Sequence, residues 1–235
     1  MPARRSHRRT ARWSRVERDA RETYGELIAG IDEVGRGPLA GPVVACAVVM
    51  PSAGRRIAGV DDSKKLRPAE REVLASEILR RATGVALGAA SPREIDRINI
   101  YQATALAMRR ALARLARAGV TPHHVILDGK PIRTLGVAHT AVVGGDGKCY
   151  AVACASIVAK VTRDRLMARL AVRYPGFGWE QNVGYGTPAH LWALDALGAT
   201  PHHRRSFCVK QLSLFVGDAG APPQAPIHTL IAPPS

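Results

Sequence analysis

Long apolar runs, paired cysteines and an N-terminal secretory signal are all missing from this sequence. Without an apolar run of about twenty residues, no segment is expected to span a bilayer. The cysteines form no C-x-x-C pair, so neither a disulfide framework nor a zinc-binding pair is expected. These absences predict a cytoplasmic protein with reduced thiols and no membrane partner. The four cysteines are Cys46, Cys149, Cys154 and Cys208.

Acidic residues are also scarce. Lys and Arg together number 34 against 19 Asp and Glu, which gives a formal net charge of +15 over 235 residues. An excess of this size favours an acidic partner, and nucleic acid is the first candidate. A solvated basic surface without such a partner is the alternative that charge alone leaves open.

The length and composition divide the chain into one domain and two tails. Residues 1–21 carry eight arginines and almost no apolar side chains, which predicts a disordered basic arm that holds phosphates through charge. An organelle transit peptide is the alternative for this segment. Residues 216–235 are rich in Pro, Ala and Gly and predict a loose tail. Residues 22–215 are left as a single domain of ordinary size.

Two adjacent carboxylates, Asp32 and Glu33, end an apolar run and precede the turn Gly35-Arg36-Gly37. Adjacent residues on a strand point to opposite faces, so one acid faces the core unless something binds it. A buried unpaired carboxylate is costly, and a divalent cation is the usual remedy. Because glycines let a ligand approach the backbone closely, this segment predicts a metal site beside a polyanion.

The pattern of apolar residues predicts an α/β sheet with helices on both faces, because strands come first and then alternate with helices. Helix starts are indicated by Pro68, by the capping box from Ser91 to Glu94, and by Thr187-Pro188. Strands are predicted at 26–34, 42–50, 85–90, 125–128 and 137–143. Helices are predicted at 68–81, at 92–118 with a break near Asn99, at 151–173 and from 188 to Gly198.

Two more acids, Asp128 and Asp146, follow predicted strands at their ends. Ligands of open α/β sheets gather at strand ends, so these acids are expected to meet Asp32 and Glu33 at one edge. Several carboxylates in a small volume need cations, and oxygen ligands favour Mg²⁺ or Mn²⁺. Ordinary turn positions are the alternative for Asp128 and Asp146. A rival acid pair, Asp61-Asp62, is expected to be solvated.

The stretch 31–44, which contains the acid pair and the glycine turn, resembles the opening signature of the ribonuclease HII family, the type 2 ribonucleases H. The resemblance covers roughly residues 26–210 in the family's order, and both tails fall outside it. It continues through Asp62-Ser63-Lys64-Lys65-Leu66, Ile126-Leu127-Asp128-Gly129, Gly145-Asp146, Ala155-Ser156-Ile157-Val158-Ala159-Lys160-Val161-Thr162-Arg163-Asp164, Tyr174-Pro175, Gly184-Tyr185-Gly186-Thr187 and His203-Arg204-Arg205-Ser206-Phe207.

The resemblance implies a ribonuclease H-like fold with a mixed five-stranded sheet flanked by helices. It implies an endonuclease that cuts the RNA strand of RNA–DNA hybrids and nicks duplex DNA 5′ of embedded ribonucleotides. The products would carry a 5′-phosphate and a 3′-hydroxyl. Asp32, Glu33, Asp128 and Asp146 match the family's four acids, which would hold two Mg²⁺ or Mn²⁺ ions for two-metal-ion catalysis.

The resemblance also assigns substrate contacts. Gly35, Arg36 and Gly37 match the family's sensor of the ribose 2′-hydroxyl, and Tyr185 matches the aromatic that packs on the next sugar. Lys64 is expected to contact a phosphate. The expected partners are RNA–DNA hybrid and ribonucleotide-containing duplex DNA, with a replication-clamp contact through a tail, and the protein is expected to be a monomer. Two alternatives are a non-catalytic nucleic-acid-binding module and another metal nuclease such as a resolvase or transposase.

Overall fold

The computed structural model describes residues 14–53 and 55–208. None of the helices in these ranges is long and apolar enough to cross a bilayer. The strands are β1 (Ile28–Val34), β2 (Val43–Val49), β3 (Gly84–Ala90), β4 (His124–Asp128) and β5 (His139–Val142). The helices are α1 (Arg15–Tyr24), α2 (Pro68–Arg81), α3 (Pro92–Arg117), α4 (Tyr150–Arg173), α5 (Trp179–Asn182) and α6 (Pro188–Leu197), with short 3₁₀ turns at Ser63–Lys65, Arg133–Leu135 and Gly145–Gly147.

The five strands form one mixed sheet in the order β3-β2-β1-β4-β5. β1 pairs with β2 and β2 with β3 in antiparallel fashion, while β1 pairs with β4 and β4 with β5 in parallel. The predicted mixed five-stranded sheet is therefore confirmed. Because β1, β4 and β5 are parallel, their carboxyl ends lie at the same edge of the sheet, which is where the predicted acids are found.

Helices cover both faces of the sheet. One apolar cluster joins Cys46 and Val48 of β2 to side chains of α2 and α4, and a second joins Ile31 and Ala45 to side chains of α3. Gly30 has no space for a Cβ atom, because the backbone of α4 at Ala151 lies directly against it. The strand that carries the acid pair is thus in backbone contact with α4.

Local sequence signals set the ends of the helices. Ser91 caps α3 and Glu94 completes the capping box, with Pro92 in the first turn, as the sequence predicts. Asn99 interrupts the same helix with φ 66°, which confirms the predicted break. The predicted bounds of α2 agree with the structure, and the other predicted elements differ from it by only a few residues at their ends.

The prediction that residues 1–21 form a disordered arm is wrong for the part that the structure describes. Ser14 caps α1 and forms a capping box with Glu17. Glu17 is fully buried, and its carboxylate accepts hydrogen bonds from the N–H groups of Tyr150 (3.1 Å) and Ala151 (2.8 Å) in the first turn of α4. This tertiary contact stabilises the helix in spite of its arginine-rich composition. Residues 1–13 and the predicted tail at 216–235 lie outside the described residues.

Candidate active site

The four predicted acids lie on three elements that meet at the carboxyl edge of the sheet. Asp32 and Glu33 stand near the end of β1, and Asp128 is the last residue of β4. Asp146 lies in the 3₁₀ turn Gly145–Gly147, between β5 and α4. The Asp128 carboxylate accepts a 2.6 Å hydrogen bond from the Gly145 N–H, so the end of β4 is tied directly to the turn that carries Asp146.

Asp32 is the buried member of the acid pair, with 7% of its surface exposed. Burial raises the pKa of Asp32 well above its usual range, and the negative charges of Glu33 and Asp128 raise it further. A hydrogen bond from the Glu33 N–H (2.8 Å) and one from the Ser156 hydroxyl oppose this shift. The mutual repulsion means that these three carboxylates share one electrostatic environment, and adding a cation there would relieve it.

Two basic side chains partly neutralise the acids. The Arg36 guanidinium lies 3.1 Å from the Glu33 carboxylate; burial raises the pKa of Glu33, and Arg36 opposes that rise. The Lys64 ammonium lies 3.3 Å from the buried Asp146 carboxylate. Burial is the largest single influence on the pKa of Lys64 and lowers it, but the charge and hydrogen bond of Asp146, together with the charges of Asp62 and Asp32, leave that pKa above its usual value. Each predicted substrate-binding cation therefore contacts a predicted catalytic acid.

The donor set is suited to a hard divalent cation, since all four side chains offer carboxylate oxygens. Burial and the neighbouring acids raise the pKa of Asp32, which is the perturbation expected of a site built to receive positive charge. Among residues 14–53 and 55–208, however, no group of three or more His, Cys, Asp or Glu side chains has the arrangement of a metal centre. In this arrangement Arg36 and Lys64 supply the positive charge next to Glu33 and Asp146.

The structure brings the glycine turn and Tyr185 together, although 148 residues separate Gly37 from Tyr185. A Cβ atom added at Gly37 would lie 3.4 Å from the Tyr185 ring, so glycine keeps this approach open. Gly35 has φ +87°, and a Cβ there would meet the Arg163 side chain and the Pro42 carbonyl (2.8 Å). Tyr185 is about half exposed, so part of its surface remains accessible to a ligand.

Two fully buried arginines, which contact the backbone near the glycine turn and Tyr185, are functional candidates that the residue-by-residue sequence analysis missed. Arg163 and Arg204 contact main-chain carbonyls, and burial lowers their pKa values to about 10 and about 9. The sequence did indicate them indirectly, because Arg163 and Arg204 lie in two of the motifs that resemble the family, at 155–164 and 203–207, but neither was assigned a role. Arg163 donates to the carbonyls of Ala40, Pro42 and Val183, and Arg204 donates to those of Gly35, Arg36 and Gly41.

Other expectations can be checked in the same region. Asp62 accepts a hydrogen bond from the Lys64 N–H (2.9 Å) and orders the turn that carries Lys64, so it is more than the solvated charge that was expected. Ser63, the residue between them, is buried and forms a 2.7 Å hydrogen bond with Ser156, which also contacts Asp32. This chain of contacts links the Lys64 turn to the buried acid of β1.

Carboxylates at one edge of a mixed five-stranded sheet, with basic side chains beside them and an open glycine turn, define a nuclease of the ribonuclease H class. A sequence profile described as Ribonuclease HII matches residues 29–210. The chain belongs to the ribonuclease HII family. Members of this family are endoribonucleases that act on RNA–DNA hybrids, depend on divalent metal ions and use two-metal-ion catalysis.

Relatives and solved structures agree with this assignment. The chain is 52% identical to a Ribonuclease HII of Granulibacter bethesdensis over 203 residues (84% of this chain, 90% of the relative) and 57% identical to that of Rhodospirillum rubrum over 188 residues (78% and 84%). The ribonuclease H2 structure from Pyrococcus horikoshii OT3 is 29% identical with a TM-score of 0.67, covering 81% of this chain and 99% of that one. A PCNA:RNase HII complex from Archaeoglobus fulgidus is 28% identical, with a TM-score of 0.64 and coverage of 76% and 94%.

Proposed function

We propose that Asp32, Glu33, Asp128 and Asp146 hold Mg²⁺ or Mn²⁺, and that the enzyme nicks duplex DNA 5′ of embedded ribonucleotides as well as cutting hybrids. The observation that carries this proposal is the burial of Asp32 beside two further carboxylates, which raises its pKa. Bound there, divalent ions would supply an activated water and stabilise the leaving 3′ oxygen. The products would be a 5′-phosphate and a 3′-hydroxyl.

Arg36 and Lys64 contribute the positive charge for substrate phosphates in this proposal. The Lys64 side chain is 79% exposed although its ammonium reaches a buried acid, and the Arg36 side chain is 53% exposed. Because both side chains are largely exposed, each can turn from its acid toward a substrate phosphate without disturbing a helix or strand. Their removal should weaken binding of any duplex, because a phosphate contact carries no sequence information.

Gly35, Arg36, Gly37 and Tyr185 recognise the ribonucleotide in this proposal. Gly35 is buried, while Arg36 and Gly37 are exposed, and the 2′-hydroxyl, the group that distinguishes RNA from DNA, would lie against the backbone of this turn. The Tyr185 ring lies within contact distance of Gly37 and offers a flat apolar surface to the neighbouring deoxyribose. A ribonucleotide followed by DNA would satisfy both elements at once.

The direct test is cleavage of a DNA duplex that contains a single ribonucleotide, with Mg²⁺ and Mn²⁺ assayed separately. A single cut on the 5′ side of the ribonucleotide is expected, and the all-DNA duplex of the same sequence should stay intact. Asp128→Asn, which keeps the oxygen that accepts from Gly145, is the matched inactive control. Duplex binding without cleavage by the wild-type protein in either metal would instead indicate a non-catalytic binding module.

Partner contacts, oligomeric state and location complete the proposal. The Archaeoglobus fulgidus RNase HII is captured with PCNA, and we propose that this chain likewise contacts a replication clamp through residues 209–235, which include the C-terminal tail. Support comes from the sequence Gln211-Leu212-Ser213-Leu214-Phe215, a short apolar segment ahead of the Pro/Ala-rich residues. Deletion of 209–235 should abolish clamp binding in a pull-down and leave cleavage of free duplex unchanged.

We further propose a cytoplasmic monomer whose catalytic domain starts at Ser14 rather than at residue 22. The buried contact of Glu17 with α4 supports this earlier boundary. Sedimentation velocity of the full chain should give the mass of one copy, 25.1 kDa. A dimer at micromolar concentration would contradict the monomer.

A further inference from the structure

The two elements proposed to recognise the ribonucleotide come from distant segments, and a buried hydrogen-bonded network joins them. We call His190, His203 and Arg204 the histidine–arginine frame. His190 and Arg204 have no exposed surface and His203 has 2%. None of the three was assigned a role from the sequence. Their contacts run from the Tyr185 backbone at one end to the Gly35-Arg36 backbone at the other.

The hydrogen bonds of the frame fix the tautomer of each imidazole. The Tyr185 carbonyl can only accept, so Nδ1 of His190, 2.8 Å away, carries a proton and donates. Nε2 of His190 is then an acceptor, and it receives the Trp179 indole N–H at 3.1 Å. The Thr200 N–H donates to Nδ1 of His203 at 3.0 Å, so Nε2 of His203 carries the proton. That proton points at Nε2 of His190, 3.1 Å away.

Each ring nitrogen therefore has one assigned role, and both imidazoles are neutral. A second proton on His190 would sit on Nε2, where it would face the N–H groups of both Trp179 and His203. Burial lowers the pKa of both histidines, which agrees with the neutral arrangement. The direction of donation runs from Thr200 through the two rings to the Tyr185 carbonyl and cannot reverse, since a carbonyl has no proton to give.

The next residue along the chain, Arg204, extends the network to the glycine turn. Its guanidinium donates to the carbonyls of Arg36 (2.8 Å), Gly41 (3.0 Å) and Gly35. The Arg204 N–H also donates to the Leu39 carbonyl at 2.7 Å. One consecutive pair, His203-Arg204, thus holds the backbone on which the ribose sensor is built and orients the ring that holds Tyr185.

We propose that the histidine–arginine frame sets the position of Tyr185 relative to Gly35-Arg36-Gly37, and that His190 is thereby a positioning residue for ribonucleotide selection. The inference rests on the proposed role of Tyr185 and the glycine turn. The Tyr185 side chain is about half exposed, so its position depends on how its backbone is held. The Tyr185 N–H donates to the Asn182 carbonyl (2.9 Å), and the Tyr185 carbonyl accepts from the Thr187 N–H (2.9 Å) as well as from His190. His190 holds this backbone through the carbonyl of the same residue.

Two substitutions separate the two nitrogens of His190. In His190→Asn the side-chain amide takes the place of Nδ1 and can still donate to Tyr185, whereas His190→Gln places its amide near Nε2 and loses that donation. We expect His190→Gln to lower kcat/KM on a single embedded ribonucleotide about tenfold more than on a long RNA–DNA hybrid. His190→Asn should retain more of this selectivity than His190→Gln.

The matched control is His124→Asn, which places its amide near Nδ1 and so loses the contact that His124 makes through Nε2. His124 is also buried and bonded, to the Thr140 hydroxyl at 2.9 Å, but it stands in β4 away from Tyr185. It should lower the melting temperature without changing the ratio of the two kcat/KM values. Tyr185→Ala should change the ratio as His190→Gln does, and the double variant should lose no more than Tyr185→Ala alone, because both act through one side chain.

The outcomes distinguish this inference from the proposed function. Equal losses on both substrates in His190→Gln, together with a changed ratio in Tyr185→Ala, would overturn the frame and leave the role of Tyr185 intact. An unchanged ratio in Tyr185→Ala would overturn both. If His190→Gln does not fold, nitrogen NMR of the wild-type imidazoles decides the matter. Protonated Nδ1 on His190 and Nε2 on His203 support the frame, and the opposite tautomers overturn it.

Discussion

Replacing Glu17 with Ala tests whether α1 is part of the catalytic domain. The Glu17 carboxylate accepts from the N–H groups of Ser14 (2.7 Å), Tyr150 (3.1 Å) and Ala151 (2.8 Å), and no part of Glu17 is exposed. It supplies negative charge at the N-terminus of α4, where helix geometry leaves N–H groups without partners. The substitution removes these acceptors while the donors of α4 stay buried.

The expected cost follows from the donors left behind. A buried donor without a partner costs about 1–3 kcal/mol, so the two donors of α4 together predict a loss of about 4 kcal/mol in the free energy of unfolding. Glu17→Gln keeps one acceptor oxygen and nearly the same volume, so it should cost about half as much. Asp19→Ala is the matched control on the same helix, because its ion pair with Arg15 at 3.5 Å is exposed and should contribute less than about 1 kcal/mol.

Urea unfolding, followed by far-ultraviolet circular dichroism and by nuclease activity, provides the measurement. A loss below about 1 kcal/mol in Glu17→Ala would refute the reasoning, as would an equal loss in Asp19→Ala. If Glu17 stabilises the catalytic domain, activity and helical signal should disappear at the same urea concentration in every variant. Separate transitions would mean that α1 unfolds independently of the sheet.

Three further predictions concern the acids, the arginine-rich segment and pH. Asp128→Asn should bind duplex normally but lose cleavage about 100-fold or more, because a carboxylate charge is removed from the proposed metal site; near-normal cleavage would exclude Asp128. Deleting 1–13 removes five arginines, so affinity for every duplex should fall alike, with a shallower salt dependence, and a moved cut site would contradict this. Burial and the neighbouring His190 and His202 lower the pKa of His203 to about 4. The unfolded chain therefore takes up this proton first as pH falls, and stability should be lost from about pH 6.5 toward pH 4, by about 2 kcal/mol after allowance for solvent screening. Urea unfolding across this range should show a shallower pH dependence in His203→Gln, and identical slopes would refute the assignment.

The elements that could be predicted from sequence are those whose ends are marked locally. Ser91, Glu94 and Asn99 mark the start and the break of α3 with side chains that act within a few residues. The order β3-β2-β1-β4-β5 has no such local signal, because it depends on which strands meet across long connections. The resemblance to a known family implied a mixed five-stranded sheet, but the order of its strands was not predicted.

α1 was not predicted, although a local signal for it is present. The capping pattern from Ser14 to Glu17 is present in the sequence, just as it is at Ser91. The density of arginines led to a prediction of disorder instead. The contact that stabilises the helix is made by Glu17 with Ala151, 134 residues away. Local composition cannot report a contact of that range.

The residues of the site also differ in whether the sequence could predict them. Acids at strand ends could be predicted because a carboxylate beside an apolar strand needs a partner, and Asp32 and Asp128 do share one environment. The roles of His190 and Arg204 could not, because each acts on the recognition elements through main-chain carbonyls. A carbonyl is present at every residue, so nothing in the sequence indicates which one a buried side chain will reach.

The absence of a side chain at Gly30 sets how closely α4 approaches the strand that carries the acid pair. Most helices rest on a sheet through a layer of side chains that can change rotamer, but at Gly30 the main chain of α4 lies directly against β1. Asp32 stands two residues beyond this contact, and Asp146 stands just before the helix. The gap between the strand that carries one acid and the helix that follows the other is therefore set by the radii of backbone atoms. Substitutions elsewhere in the core can change the stability of the protein, but they have no adjustable layer here through which to shift that gap.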